Sequence, residues 1–342
     1  MGKTILFYAA VKDVSLFHTQ MFYVNTRETL EKLGCNVIMT NRMSDAWKLK
    51  YDGLFCFFFR QGVVPAFLAK IKGIKVFFTG GLDSLEKSLV PAKDYYVQVV
   101  LFKLCRWLAD WCLIESKSDL RNIEKISLFK NHKNLFYSPQ AIVVEHYNCR
   151  LENKEKLFST ICWQGTVGNC KRKGVDQALY YFKMLKEREE FKEYKFMIMG
   201  RAGDGTPFLQ SIITELRLGD SVVLTGEVTE EEKLDYLKKS KYFFQLSLYE
   251  GFGLAALEAI ASKCIPIHTG RGGLNDTLAY DGVKVDYSRF DGTMESIDPS
   301  VADKLISITD EDVEKSYQRI MKNFDSSIRL ENFRKTVGTS ML

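Results

Sequence analysis

Short apolar runs rich in β-branched and aromatic residues recur along the chain. KTILFYAA, CNVIMTN, DGLFCFFF, IKVFFTG and WCLIE occupy the first half, and FSTICWQG, YKFMIMG, SVVLTG, YFFQLS and CIPIH the second. Runs of this length, closed by turn residues, predict buried strands. Between several of them lie stretches with helical spacing, such as FYVNTRETLEKLG, where Gly34 offers a C-terminal stop. Strand alternating with helix predicts βαβ units around mostly parallel sheets. The series breaks at HYNCRLENKEK, residues 146–156, which is polar, lacks strand character and is the candidate linker. The fold class expected is therefore α/β, with two Rossmann-like domains facing across a cleft. The first spans 1–148 and the second 149–328, with the terminal stretch from 329 to 342 packing back on the first.

Length supports that division, because 342 residues exceed what one hydrophobic core usually serves. The composition, 46% apolar and 27% charged, is that of a soluble globular protein. MGKTILFYAAVKD has one early lysine and no small-residue cleavage site, so no secretory leader is expected. The most apolar stretch is interrupted by Arg60, Pro65, Lys70, Lys72 and Lys75 and cannot span a bilayer. Eight cysteines without a C-x-x-C pair suit reduced thiols, and a cytoplasmic location is expected.

Charge is uneven. Residues 1–148 carry 20 Lys+Arg against 13 Asp+Glu, and the remainder 28 against 30. This reads either as ordinary solvated helix faces or as a basic first half that meets an anionic surface, peripheral to a membrane. The excess is modest and no nucleic-acid motif accompanies it, so nucleic acid is not an expected partner.

Candidate chemistry concentrates in YEGFGLAALEA, residues 249–259. YFFQLSLYE reads as a strand and LAALEAIASK as a helix, so EGFG sits at a strand-to-helix turn. Glycines there permit tight backbone and close ligand approach. The N–H groups of Phe252, Gly253 and Leu254 would form a helix N-terminus that attracts an anion. Glu250 lies before the helix and Glu258 about one turn inside, roughly 6 Å along the axis. That offset is about a phosphate-to-ribose distance. The plainer alternative is an ordinary turn whose acid favours the helix dipole. A second element, WQGTVGNCKRKGVDQAL, reads as opening a helix at about Gly174. Lys171, Arg172 and Lys173 would then stand at a helix N-terminus, where cations are disfavoured unless an anion joins them; a surface charge run is the alternative.

Together these elements resemble glycosyltransferase family 4, retaining sugar-nucleotide transferases of the GT-B fold. The motif that carries the resemblance is E-x7-E, Glu250 to Glu258. The KRKG turn, MIMGRAGDG and VVLTGEVTEEEKLDYLKKS follow in the family's order, and the likeness is specific over residues 159–280. The resemblance implies that the second domain binds a nucleotide sugar. Arg172 and Lys173 would neutralise the diphosphate, and Gly251, Phe252, Gly253 and Leu254 would hold a phosphate and a sugar hydroxyl. Glu258 would take the ribose, Glu250 the sugar ring, and backbone near Glu227 and Val228 the base, with Arg201 along the same cleft. Lys173 and Glu250 count among the catalytic candidates. The donor expected is GDP-mannose, then UDP-glucose, and the acceptor a glycan, a glycolipid or another lipid-linked hydroxyl. Fixed cations and a helix dipole stabilise a leaving diphosphate, so no metal and no cofactor is expected. Asp310 and Asp312, the only D-x-D, read as a helix start capped by Thr309. A homodimer is compatible with all of this.

The first half departs from the family. AAVKDVSLF stands where relatives carry glycines, GGLDS replaces a His-Asp pair and leaves Asp83, and SPQAI replaces an Asn-Gly turn. Asp83 follows the strand IKVFFT and reads either as a catalytic carboxylate for the acceptor or as a cap for the helix near Ser84. His18 faces the cleft or is structural, and His132, His146 and His268 have no metal-ligand spacing. Two rival functions use the same residues. Gly251-x-Gly253-x-x-Ala256, with Arg271 for a 2′-phosphate, fits an NADP-dependent oxidoreductase. That reading leaves Glu250 and the basic triplet without roles. The other rival is a nucleotide-sugar binder that has lost its acceptor chemistry.

Overall fold

The computed structural model describes residues 2–126 and 134–338. The chain divides into two compact units, 1–142 with 324–342, and 143–323.

The first unit is built on six parallel strands: β1 (Thr4–Tyr8), β2 (Asn36–Thr40), β3 (Gly53–Phe57), β4 (Lys75–Thr79), β5 (Trp111–Ile114) and β6 (Leu135–Tyr137), in the order β2-β1-β3-β4-β5-β6. Register brings like side chains into rows. Phe7 pairs with Phe55 and Phe55 with Phe77, and their rings stack at 5.7 and 6.3 Å on one face of the sheet. Both faces are buried, which is why these strands read as unbroken apolar runs rather than alternating ones.

Helix Ser326–Phe333 lies against helix Met21–Lys32 in this unit. Arg329 anchors it. Its guanidinium bonds Gln140 and Thr26, and Gln140 in turn donates to Glu115 at 2.5 Å. Burial pushes Arg329 down to about 10 against the pull of Glu115, whose own carboxyl burial raises. Such a buried cation is tolerable only with partners of this kind.

The second unit repeats the plan with β7 (Glu155–Ile161), β8 (Lys195–Met199), β9 (Val222–Gly226), β10 (Ser240–Gln245), β11 (Ile265–His268) and β12 (Val283–Lys284). All neighbours are parallel, in the order β12-β11-β10-β7-β8-β9. Phe158 of β7 stacks on Tyr242 and Phe244 of β10 at 4.7 and 5.3 Å at the centre of the core.

The segment 146–156 is not a free linker. It lies inside the second unit, contributes a short helix, Leu151–Asn153, and already begins β7 at Glu155. Its polarity misled because Lys154 is used internally: its ammonium donates to the carbonyls of Leu237, Ser240 and Ser262. The change of unit falls earlier, between Ile142 and Val143.

Candidate functional site

In the second sheet the winding direction reverses between β7 and β10, neighbours that are first and fourth in the unit. At such a switch point the loops beyond the C-terminal strand ends diverge and leave a crevice for a ligand. The two loops concerned, 162–166 and 246–253, carry or adjoin the residues singled out from sequence.

The basic triplet sits differently from expectation. Thr166 caps a short helix, Val167–Lys173, by accepting from the Asn169 amide. Gly174 ends that helix with φ +66, and a second helix, Val175–Lys186, begins after it. Lys171, Arg172 and Lys173 therefore occupy a last turn, where the dipole favours cations, and not the disfavoured helix N-terminus expected from the sequence. Their link to the EGFG loop is direct instead. A Cβ at Gly174 would lie 2.1 Å from the Leu246 carbonyl oxygen, so only glycine lets the two loops touch. The Leu248 amide donates to the Arg172 carbonyl at 2.9 Å.

That contact brings Lys173 Nζ to 2.6 Å from Glu250 Oε1. The same oxygen accepts from Ser247 at 2.6 Å and Gln245 at 3.1 Å. Burial opposes the charge on Glu250, but Lys173, Ser247 and Arg172 outweigh it and hold the carboxyl below its usual range. Glu250 is thus a fixed carboxylate. Its other oxygen, Oε2, makes no hydrogen bond among the described residues.

Gly253 (φ +92) is the N-cap of helix Leu254–Ala261. The amides of Gly253, Leu254 and Ala255 likewise find no acceptor among the described residues, as expected of a helix start. Two of the loop's carbonyls are occupied: Gly273 donates to Glu250 O at 2.6 Å and Thr277 to Phe252 O at 3.2 Å. The backbone is therefore held from behind while the amides stay available.

Glu258 is only 2% exposed. Its Oε1 accepts from Tyr147 and from Lys233, each at 3.1 Å, and Lys233 also pairs with Glu230 at 2.6 Å. Burial raises the Glu258 carboxyl despite Lys233. Lys233 keeps its charge, because Glu258 and Glu230 outweigh its own burial. Here too Oε2 makes no hydrogen bond among the described residues. Tyr147, Lys233, Gln245 and Ser247 were not singled out from sequence. Lys233 lies in TEEEKLDYL, where nothing distinguishes it from a solvated helix charge. Gln164, 1% exposed, was also missed: its side chain links Thr206 and the Gly200 carbonyl, tying the ends of β7 and β8 together.

Arg201 is exposed in the loop after β8, and its carbonyl accepts from Gln164. Glu227 and Val228 follow β9. Arg271 lies over the Tyr287 ring at 5.7 Å.

In the first unit Asp83 opens a short turn of helix, Asp83–Leu85, at the rim of a cavity of about 300 Å³ beyond β3 and β4. Arg60, Gln98 and Phe102 line the same space. The turn's N-cap position is Leu82, and the exposed Asp83 side chain makes no hydrogen bond among the described residues. His18 borders a different cavity beyond β1 and β2, with Nδ1 at 3.2 Å from the Arg27 guanidinium. His268 is buried, accepts no metal-like grouping of neighbours among the described residues, and is pushed down to about 4 by burial. His132 lies outside the described residues. Thr309 caps the helix start at Asp310 as read from sequence: its hydroxyl accepts from the Asp312 amide, and its own amide donates to the Asp312 carboxylate.

Residues 166–291 match the family described as Glycosyl transferases group 1. The mannosylfructose-phosphate synthase of Agrobacterium fabrum is 32% identical over 113 residues, 32% of this chain and 25% of that protein. A GDP-mannose:cellobiosyl-diphosphopolyprenol alpha-mannosyltransferase of Xanthomonas oryzae pv. oryzae is 31% identical over 96 residues, 28% of this chain and 25% of the relative. These alignments span a quarter of each curated relative. Over nearly the whole chain, the structure is similar to Anabaena HepE in complex with UDP-glucose, with TM-score 0.72, 13% identity, and coverage of 98% of this chain and 100% of that one. A sucrose-phosphate synthase from Thermosynechococcus elongatus gives 0.71 and 13%, covering 99% of each. The chain therefore has the GT-B architecture of two parallel-sheet α/β domains, and its residues 166–291 match the glycosyl transferases group 1 family.

Proposed function

We propose that the protein is a retaining, metal-independent glycosyltransferase that moves a hexose from a nucleotide sugar to a hydroxyl of a glycan or lipid-linked acceptor. The observation that carries this reading is the Lys173–Glu250 pair, fixed at 2.6 Å at the switch point of the second sheet beside a helix N-terminus.

Bond breaking between the sugar C1 and the diphosphate oxygen puts negative charge on the leaving group. Lys173, Arg172 and the amides of Gly253 and Leu254 are preorganised donors for that charge, which is the form of stabilisation most effective in a transition state. The acceptor oxygen bonds to C1 as the C1–O bond breaks, and its proton passes to the departing phosphate. Glu250 keeps Lys173 in place through Oε1 and offers Oε2 to a sugar hydroxyl. Glu258, anchored by Tyr147 and Lys233, offers its own Oε2 to the ribose. The backbone near Glu227 and Val228 takes the base, Arg201 lines the donor's path, and Asp83 serves the acceptor.

The relatives' names favour GDP-mannose as donor, and the structural neighbours' ligands favour UDP-glucose as the next choice. Proton NMR of the product anomeric centre tests the reading. The donor's α configuration preserved in the product supports it, and an inverted β product overturns the retaining assignment.

A further inference from the structure

The exposed large apolar side chains of the first unit are not scattered. Helix Phe59–Ile71 presents Val64, Phe67 and Ile71 to solvent at spacings of three and four, one stripe along the helix. Helix Ala92–Leu108 packs beside it and presents Tyr96, Val100, Leu104 and Trp107 with the same periodicity. Val100 is 64% and Trp107 75% exposed. Both helices already bury an opposite face: Ala66 and Ala69 on the first, Phe102, Cys105 and Leu108 on the second. The outer stripes are thus surplus to the core, and a contiguous apolar patch of this kind marks an interaction surface.

Charge indicates what covers it. The two helices carry Arg60, Lys70, Lys93, Lys103 and Arg106 against a single acid of their own, Asp94; Lys70 pairs with Asp110 at 2.6 Å, so the cationic rim rests on Arg60, Lys93 and Lys103. Lys72 follows the first helix, and Trp47, on a neighbouring short helix, is exposed nearby; its carbonyl accepts from Lys72. Apolar side chains with tryptophan and tyrosine among them, rimmed by cations, suit the boundary of an anionic bilayer. No described helix is long and apolar enough to cross a membrane, so the contact is a surface one.

We infer that the outer face of helices Phe59–Ile71 and Ala92–Leu108 docks on an anionic lipid bilayer, inserting Val64, Phe67, Val100 and Trp107 while the cations meet lipid head groups. Arg60, at the start of the first stripe, also lines the cavity that holds Asp83. The docking face therefore adjoins the acceptor side proposed above, although docking does not depend on that proposal.

Flotation with extruded vesicles tests the inference on the full chain. Vesicles of phosphatidylcholine with 30% phosphatidylglycerol should carry the protein, and pure phosphatidylcholine vesicles at least tenfold less. Raising sodium chloride from 0.1 to 0.5 M should weaken binding several-fold, since salt screens the ionic part. Val100→Glu with Trp107→Glu should abolish flotation without lowering the melting temperature, because both side chains are exposed. Ile306→Glu, at an exposed apolar position of the second unit, should float like the wild type. Equal binding by the double variant, or no binding to either vesicle, overturns the inference. So does a wild-type dimer that the double variant converts to monomer while vesicle binding is absent, which would make the face a contact between two copies.

Discussion

Replacing Lys173 with methionine keeps the side chain's length and removes its charge. The pair it breaks is short and sheltered, 2.6 Å with the Lys173 and Glu250 side chains 23% and 13% exposed, so solvent screens it little. Glu250 would keep only Ser247 and Gln245 as donors, and Arg172 would be the one cation named above still opposing burial. A hydrogen bond to a charged partner contributes about 1.5–3 kcal/mol, and unfolding free energy at pH 7 should drop by about that much. The same substitution removes a charge-assisted contact to the donor diphosphate, so UDP-glucose or GDP-mannose should bind about 10- to 150-fold more weakly. The pH dependence provides an independent check. In the wild type the folded-state carboxyl lies below its unfolded value, so its stabilisation is present above the unfolded carboxylate range and is lost as pH falls through the folded value. In the variant, burial would raise the folded value, and the penalty disappears as the carboxyl is protonated. The stability gap between the two proteins should therefore shrink between pH 7 and pH 4. Urea unfolding at both pH values, with calorimetry at pH 7, measures all three effects. Wild-type donor affinity in Lys173→Met, or a gap that widens in acid, would refute the reasoning.

Gly174→Ala should cost about 1–3 kcal/mol of stability from the positive φ alone and more from the clash with the Leu246 carbonyl; because it parts the two loops, donor affinity should fall with it, as thermal unfolding and titration would show. His268 is pushed down to about 4 by burial, so stability should fall as pH drops from about 6.5 towards 4, and His268→Gln should flatten that part of the stability–pH curve. Asp83→Asn should leave donor affinity and melting temperature near wild type but lower turnover at least tenfold, because its contact matters in the transition state; unchanged turnover would remove Asp83 from the acceptor site.

The strands were legible because a parallel sheet covered on both faces leaves continuous apolar runs, and GLFCF in β3 or FMIM in β8 has no other use. The two shortest strands, Leu135–Tyr137 and Val283–Lys284, are edge strands with too few residues to form a pattern. The turn carrying Glu250 was legible from its glycines. The break at Gly174 was visible too, but it ends one helix as well as opening the next. Thr166, three residues before Asn169, was the overlooked start signal. The partners of Glu258 were not legible, since Tyr147 and Lys233 reach it only through tertiary packing; Ser247 meets Glu250 within its own turn, three residues away, but a serine there carries no signal in the sequence. Nor does the sequence distinguish the apolar residues of helix Ala92–Leu108 that face solvent from those that face the core, because YYVQVVLFKLCRWL is apolar nearly all round.

Calorimetric titration of the full chain with UDP-glucose and with GDP-mannose, in buffer containing EDTA, tests the central claim most directly. The account predicts saturable one-site binding of at least one of them, weakened at least tenfold by Lys173→Met. Binding of neither donor, or binding that appears only when a divalent ion replaces the chelator, would contradict it.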